Sequence, residues 1–364
     1  MHSIQLHYTL EKGPGSAAGL VSHPLIALLQ AVAAQGSISG AARHLGVSYR
    51  HAWGELKRWE NELGEELIVW GKGQSARLTE FAAKLMWAER QTQARLAPQI
   101  AALQADLERT FAMAFDPEAH VLALYASHDD ALLALQDMAV SQRLHLDIRF
   151  CGSLDAIRAL NEGRCTLAGF HTRTRPARQS GSARQYRPLL KPGQHKLIGF
   201  AQRLQGLLVA PGNPMALSDM ASVAASGARF AQRALGTGTR VLQDELLSEA
   251  ALSSHHLKVV GDDEPSHAAC AARVASGQAD AALGIASAAQ TQGLDFVPLV
   301  AEEYHLICLK SALDSPPMVA LRELLASAAW QQTLLGVKGY GPNRSGQVQS
   351  LSQTLPWWQF KTAK

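Results

Sequence analysis

Apolar residues recur every three to four positions at Ile38, Ala41, Ala42 and Leu45, and again at Ala52, Leu56, Trp59 and Leu63. This spacing predicts two helices, over 37–45 and from Ser48 to Gly64. Ser37 and Ser48 can each cap a helix start, because a hydroxyl accepts one of the unpaired first-turn N–H groups. Gly46 and Gly64 can close the ends, since glycine tolerates the left-handed conformation found there. Ala52, Leu56, Trp59 and Leu63 form the buried face, and Tyr49, Arg50, Gly54 and Lys57 face outward. Leu67, Val69 and the turn Gly71-Lys72-Gly73 predict a two-stranded wing, with Arg77 on its return strand. Leu78-Thr79 then opens another helix. Upstream, residues 3–10 alternate as a strand does, residues 12–19 read as a loop, and Pro24 opens a helix over LIALLQAVAAQ.

Residues 79–112 keep near-helical spacing at Phe81, Leu85, Leu96, Ile100, Leu103, Leu107 and Phe111. Pro98 should kink this stretch or split it, because it lacks an N–H and its ring crowds the preceding turn. An amphipathic helix here reads as a dimer seam, or else as a helix packed within its own chain. Asp116-Pro117 reads as a boundary. Beyond it, strand patterns at 120–125, 144–150, 165–170, 206–210, 228–231, 257–261, 280–285, 295–299 and 304–309 alternate with helix patterns. The helices fall near 129–140, 153–162, 216–226, 239–250, 266–277, 286–292 and 317–334. The alternation predicts parallel α/β units. The late return at 304–334 predicts two lobes crossed by two linkers, and the tail WWQFKTAK is frayed or docked by its tryptophans.

Composition narrows the class. A chain of 364 residues exceeds a comfortable single domain. We therefore expect three regions, 1–78, 79–116 and 117–364, in an α/β protein: a winged helix-turn-helix, a linker or dimerisation helix, and a two-lobed α/β domain. The chain is 47% hydrophobic and 18% charged, an ordinary globular balance, and its net charge of +3 is mild. Cys151, Cys165, Cys270 and Cys308 form no C-x-x-C pair and no disulfide framework, which fits a reducing cytoplasm. No basic segment precedes an apolar run at the start, and no apolar run is long enough to span a bilayer. A cytoplasmic location without membrane association follows as the expectation.

The helix, turn, helix and wing order presents a helix to a DNA major groove. Its N-terminal residues Ser48, Tyr49, Arg50 and His51 are candidates for base edges, and Lys57, Lys72 and Arg77 for phosphates. The alternative is an ordinary solvated face built from Arg50, Lys57, Arg58 and Lys72. A dimer would set two reading helices on successive half-sites of double-stranded DNA. Over residues 20–112, GSISGAARHLGVSYRHAW and LTEFAAKL resemble the winged helix-turn-helix of ModE-type molybdate-responsive regulators, relatives of the LysR family. The resemblance implies Ser48, Tyr49 and Arg50 at the groove, with Trp53 seating the helix.

Three strand-to-helix junctions share one chemistry: Ser127-His128, Gly152-Ser153 and Gly236-Thr237-Gly238-Thr239-Arg240. A helix start offers unpaired N–H groups and positive potential, and a hydroxyl adds a donor. In open α/β sheets such residues collect at the carboxyl ends of strands. Each hydroxyl alone could be a plain cap; together they indicate a small-anion cleft. Arg240 would add a fixed charge, or else form a surface salt bridge. Residues 120–335 resemble the type 2 periplasmic-binding-protein fold found fused to ModE-like domains, carried by SHDDAL, GSLDAIRALNEG, AGFH, GLLVAPGNP, LGTGTRVLQDELL and VASGQADAALGI. The resemblance implies an effector rather than a cofactor: molybdate, tungstate, formate or another carboxylate, or a larger molybdenum-cofactor fragment. It implies Ser127, Ser153, Thr237 and Thr239 as contacts. His128 and His171 at the expected cleft depart from a plain oxyanion pattern and would make binding pH-sensitive or read a protonated ligand.

Other chemistry has less support. Asp262-Asp263-Glu264 near His255, His256 and His267 lacks metal-ligand helical spacing, and acidic residues before a helix are favourable through its dipole. His267 remains a secondary cleft candidate. No G-x-S-x-G elbow occurs, and LGTGTR lacks the second glycine and lysine of a P-loop. The sequence thus predicts a one-component transcriptional regulator that senses a small anion, likened to those controlling molybdenum-related genes. The alternatives are a constitutive DNA-binding protein with an assembly platform, and an enzyme acting on a small anion.

Overall fold

The computed structural model describes residues 23–69, 75–115 and 119–358. The expected strand over 3–10, the loop over 12–19, the wing turn with Lys72 and the Asp116-Pro117 boundary lie outside them. The chain divides into two compact units, Met1–Ala97 and Pro98–Lys364.

The first unit holds α1 (Pro24–Gln35), α2 (Ile38–His44), α3 (Tyr49–Leu63), β1 (Ile68–Val69), β2 (Arg77–Leu78) and the start of α4 (Glu80–Phe115). The local signals act as their chemistry dictates. Ser37 Oγ accepts from Gly40 N at 3.0 Å and Ser48 Oγ accepts from His51 N at 3.1 Å. Gly64 ends α3 in the left-handed conformation, with φ of 72°. Thr79 Oγ1 accepts from Ala82 N at 3.1 Å and opens α4. Leu29, Val32, Ile38, Ala41, Ala52, Leu56 and Leu67 form the core. Leu45 departs from expectation: it lies just past α2 and is exposed. Trp59 and Leu63 are half-buried. Pro98 does not split the stretch; α4 runs as one helix through it. Its fixed φ is helical, and one lost hydrogen bond is small against those of a helix this long.

The second unit continues with β3 (His120–Ala126), α5 (Asp130–Val140), β4 (Leu144–Phe150), α6 (Ser153–Asn161), β5 (Leu167–Arg173), α7 (Gly181–Tyr186) and β6 (His195–Val209). Then come α8 (Met220–Ser226), β7 (Arg229–Ala231), α9 (Gly238–Glu249), β8 (Lys258–Val259), α10 (His267–Ala275), β9 (Ala281–Ile285), α11 (Ala286–Thr291) and β10 (Asp295–Leu309). The chain closes with α12 (Pro316–Ala326), α13 (Ala328–Gly336), β11 (Tyr340–Gly341), β12 (Val348–Ser350) and α14 (Leu351–Thr354). The strand order is β4-β3-β5-β10-β6-β9-β7-β8, with β11 and β12 also on β6.

The expected parallel units are present within a sheet that is mixed as a whole. β3, β4 and β5 run parallel in one lobe, and β7, β8 and β9 in the other. β6 leaves the first lobe for the second and β10 returns, so the two are antiparallel to each other along their length. They are the two linkers. β10 is one strand, not two, because the apparent break at Glu302 is a buried residue whose register partner on β6 is Arg203. Buried His195, Arg203 and Gln205 likewise hid the first part of β6 from hydrophobic pattern alone. The expected helix over 317–334 is divided at Ser327, whose hydroxyl caps α13 through Trp330 N at 3.1 Å. Trp357 docks fully buried against Tyr186, ring centroids 6.3 Å apart.

The C-terminal segment straps the face of β6. Gly199 N donates to Gln347 O at 3.0 Å, and Gly346 N to Gly199 O at 2.9 Å. A methyl group on Gly199 would run into the Arg344 carbonyl. We expect Gly199→Ala to destabilise the protein by about 1–3 kcal/mol through overpacking against backbone. Urea unfolding with an unchanged slope measures this, and a wild-type midpoint would contradict the strap.

Candidate functional site

The first unit presents an exposed run from Arg43 to His51, which includes the end of α2, the turn and the start of α3. Tyr49 is 52% exposed. Its ring stacks on Trp53 with centroids 6.5 Å apart and planes 8° apart, and Lys57 Nζ lies 4.9 Å from the Trp53 ring. Arg43, Arg50 and Arg77 are exposed and form no ion pair among the described residues. Lys57 pairs with Glu60 at 2.6 Å, and Arg58 pairs with Glu55 at 2.6 Å and Glu62 at 3.1 Å. The free positive charge is therefore concentrated around the turn and the wing, not along the middle of α3.

In the second unit, the starts of α6 and α9 are pressed together. Leu154 N donates to Gly236 O at 3.3 Å, and a Cβ on Gly152 would meet Gly236 O at 2.7 Å. Gly152 supplies no side-chain cap, so the first-turn N–H groups of α6 other than that of Leu154 are left for another partner. A Cβ on Gly238 would sit 3.3 Å from His171 Cβ and 3.4 Å from Ser153 Oγ, so those groups converge. Ser153 Oγ is fully buried; the Tyr186 hydroxyl is its neighbour, but no partner meets hydrogen-bonding geometry. The His171 ring lies against Tyr304, centroids 3.8 Å apart, and neither ring nitrogen has a partner. Thr239 Oγ1 accepts from Gln205 Nε2 at 3.0 Å and faces His267 Nε2 at 3.4 Å, while His267 Nδ1 has no partner.

Two buried arginines stand nearby with opposite bonding. Arg203 is held by Asp129 at 2.5 Å and Glu302 at 3.1 Å. Arg233 is 2% exposed and has no ion pair among the described residues. Its Nη1 donates to the Glu264 carbonyl at 3.2 Å and its Nε has no partner. Burial pushes its guanidinium down to about 10, so it stays charged at neutral pH. The buried Glu264 carboxylate, itself paired with Arg273, favours this charge without pairing with it directly, and a buried cation with no direct ion pair is costly unless something anionic joins it. The centre thus offers donors and one positive charge with no direct ion pair among the described residues.

The structure sorts the candidates. Ser153, His171 and Thr239 come together. Ser127 Oγ donates to Cys151 O at 3.3 Å, and Thr237 Oγ1 donates to Ala234 O at 2.8 Å while capping Arg240 N, so both hydroxyls serve the backbone. Arg240 turns to Asp244 at 3.7 Å and Asp263 at 3.9 Å. His128 packs on Phe150, centroids 4.8 Å apart. Arg233, Gln205 and Tyr304 were missed, and His267 was only secondary. Arg233 follows β7 by two residues, so the strand-end rule that found the serines reaches it too. Among the described residues no three His, Cys, Asp or Glu side chains converge as metal ligands. No single described helix is long and apolar enough to cross a membrane.

Residues 136–326 match the family described as PBP superfamily domain. Residues 24–83 match the bacterial regulatory helix-turn-helix protein, lysR family. The "Uncharacterized protein YvgK" of Bacillus subtilis (strain 168) is 30% identical over 200 residues, which is 55% of this chain and 64% of that protein. The chain therefore spans less than two thirds of that relative's length. Full-length BenM, in a single-residue variant, aligns over 88% of this chain and 98% of its own at 14% identity and a TM-score of 0.44. ArgP from Mycobacterium tuberculosis aligns over 84% and 96% at 19% identity and a TM-score of 0.38.

Burial first, then the neighbouring positive charges, hold His171 and His267 well below the usual histidine range. Burial also lowers His195 and His305 to about 4. These rings are neutral in the folded state, whereas the unfolded chain takes up protons near pH 6.5. The stability they contribute is therefore present above that value and is lost as pH falls below it. For His305 alone the loss at pH 5 is on the order of 2 kcal/mol. Urea midpoints should fall from pH 7.5 to pH 5, and His305→Gln should flatten part of that slope. A flat profile would contradict the burial of neutral histidines.

Proposed function

We propose a function from one premise: the chain belongs to the PBP superfamily domain family and carries, ahead of that domain, a bacterial regulatory helix-turn-helix of the lysR family. It is a DNA-binding transcriptional regulator, not an enzyme, and its second domain binds a small-molecule effector. It acts in the cytoplasm, where its operator is. The effector is a small anion, of the molybdate or tungstate type or a carboxylate such as formate. One observation carries this reading: Arg233 is buried and charged with no direct ion pair among the described residues, beside the unpartnered donors Ser153, His171 and His267.

The anion is held by Arg233, by Ser153 and the first-turn N–H groups of α6 and α9, and by His171, Thr239 and His267. Such charge-assisted bonds are the strong ones. Ser127, Thr237 and Arg240 brace the surrounding turns, and His128 borders the cleft. An anion that bridges the starts of α6 and α9 binds the closed arrangement of the lobes better than an open one. That difference in affinity is what the effector can transmit. Ser48, Tyr49, Arg50 and His51 meet base edges, while Arg43, Lys57, Lys72 and Arg77 meet phosphates. Leu103, Leu107 and Phe111, 60%, 40% and 41% exposed, share one stripe of α4 and support a homodimer.

Calorimetry with molybdate, tungstate, sulfate and formate tests the effector. At least one should bind, and Arg233→Gln should weaken it about 10- to 100-fold, the size of a lost charge-assisted bond. Binding by none, with unchanged operator affinity, favours a constitutive DNA-binding protein. Arg50→Ala should weaken specific operator binding about tenfold or more. Unchanged binding at two salt concentrations would remove Arg50 from the interface. Leu107→Glu should give monomers in sedimentation, and an unaltered assembly would move the seam elsewhere.

A further inference from the structure

Beside the donor-lined centre lies a cavity of about 100 Å³, lined among others by His128, Asp129, Asp130, His267, Ile285 and Gln292. His267 belongs to both: it is buried, its Nε2 faces Thr239, and its Nδ1 has no partner. The chemistry reverses across that ring. The centre offers donors, whereas the cavity offers acceptors.

Two carboxylates line the cavity, and they are not equivalent. Asp129 is saturated: Oδ1 accepts from Ala131 N at 2.9 Å, and Oδ2 accepts from Arg203 and from Tyr340 Oη at 2.8 Å. Asp130 accepts one bond, from Ser287 Oγ at 2.7 Å, and forms no ion pair among the described residues. A carboxylate has room for several more donors. Gln292 Oε1, also buried, has no partner. His128 lies within electrostatic reach of both Asp130 and Arg233, an anion and a cation that form no ion pair among the described residues.

A bare anion would satisfy Arg233 and leave Asp130 as it is, with like-charge repulsion between the two. A ligand that carries both signs would satisfy both. The cavity holds roughly three waters' share of volume, enough for one small polar group. We propose that the effector is a small anion bearing an ammonium group, with its anionic end on the Arg233 centre and its ammonium in this cavity against Asp130 and Gln292. The inference rests on the anion reading above and narrows it. It also gives the site a means of preferring amine-bearing anions over simple ones, since each simple anion leaves the half-buried Asp130 without a cation.

Calorimetry on the full chain with two matched pairs tests it: acetate against glycine, and methylphosphonate against aminomethylphosphonate. In at least one pair the amine-bearing member should bind tenfold or more tighter than its bare parent. Asp130→Asn should abolish that gain and leave the bare anion bound no more weakly, which also reports that the variant is folded; the Ser287 hydroxyl can still donate to the amide oxygen. Equal affinity within both pairs, or a gain that survives Asp130→Asn, overturns the proposal. Bare anions that bind without any gain from the amine leave the anion reading standing and remove only this one. If no anion binds in any pair or in the oxyanion panel, the anion reading falls and takes this one with it.

Discussion

Arg203 is buried between two carboxylates where β6 and β10 cross between the lobes. Its register partner on β10 is Glu302, and its other partner is Asp129, which also caps α5 and accepts from Tyr340. The crossing strands, the first helix of one lobe and the C-terminal strap are thereby tied at one point. Burial alone would lower the Arg203 guanidinium, but Glu302, Tyr340 and Asp129 outweigh it and raise it. Breaking such a network by removing one partner leaves an uncompensated buried charge, a loss of about 3–5 kcal/mol. Tyr304, two residues beyond Glu302, carries the same order to the cleft, because its ring supports His171.

This arrangement explains why Arg203 and Arg233 have different roles although both are buried. Arg203 is fully spent within the protein. Arg233 is left with a carbonyl and an open Nε, next to imidazoles that burial keeps neutral. A neutral imidazole can donate without adding charge, so the site holds one fixed positive charge and several donors. Glycines at 152 and 238 let the two helix starts come into contact.

Local signals were legible in the sequence, and non-local pairings were not. Ser37, Ser48, Gly64 and Thr79 act within one turn of themselves, so their capping roles could be read directly. The strand over 144–150 was found at its true bounds because its apolar residues are contiguous or alternate. β6 and β10 were only half visible. Their buried His195, Arg203, Gln205 and Glu302 look like surface residues until the partner across the sheet is known. The same limit left Arg233 out of the candidates. Arg233 and Arg240 both follow strand β7, and only the fold reveals that Arg240 pairs with Asp244 and Asp263 while Arg233 bonds the Glu264 carbonyl and forms no ion pair among the described residues. Lone hydroxyls cannot be sorted from sequence for the same reason: Ser127 and Thr237 satisfy backbone carbonyls, and Ser153 does not.

The central claim is that a small anion sits on Arg233. Native mass spectrometry with elemental analysis of the intact protein, as purified and after incubation with candidate anions, tests it most directly when wild type and Arg233→Gln are compared. The account predicts a small-anion adduct on the wild type that the variant loses while retaining its fold. No adduct on the wild type under any of these conditions, or the same adduct on both proteins, would contradict it.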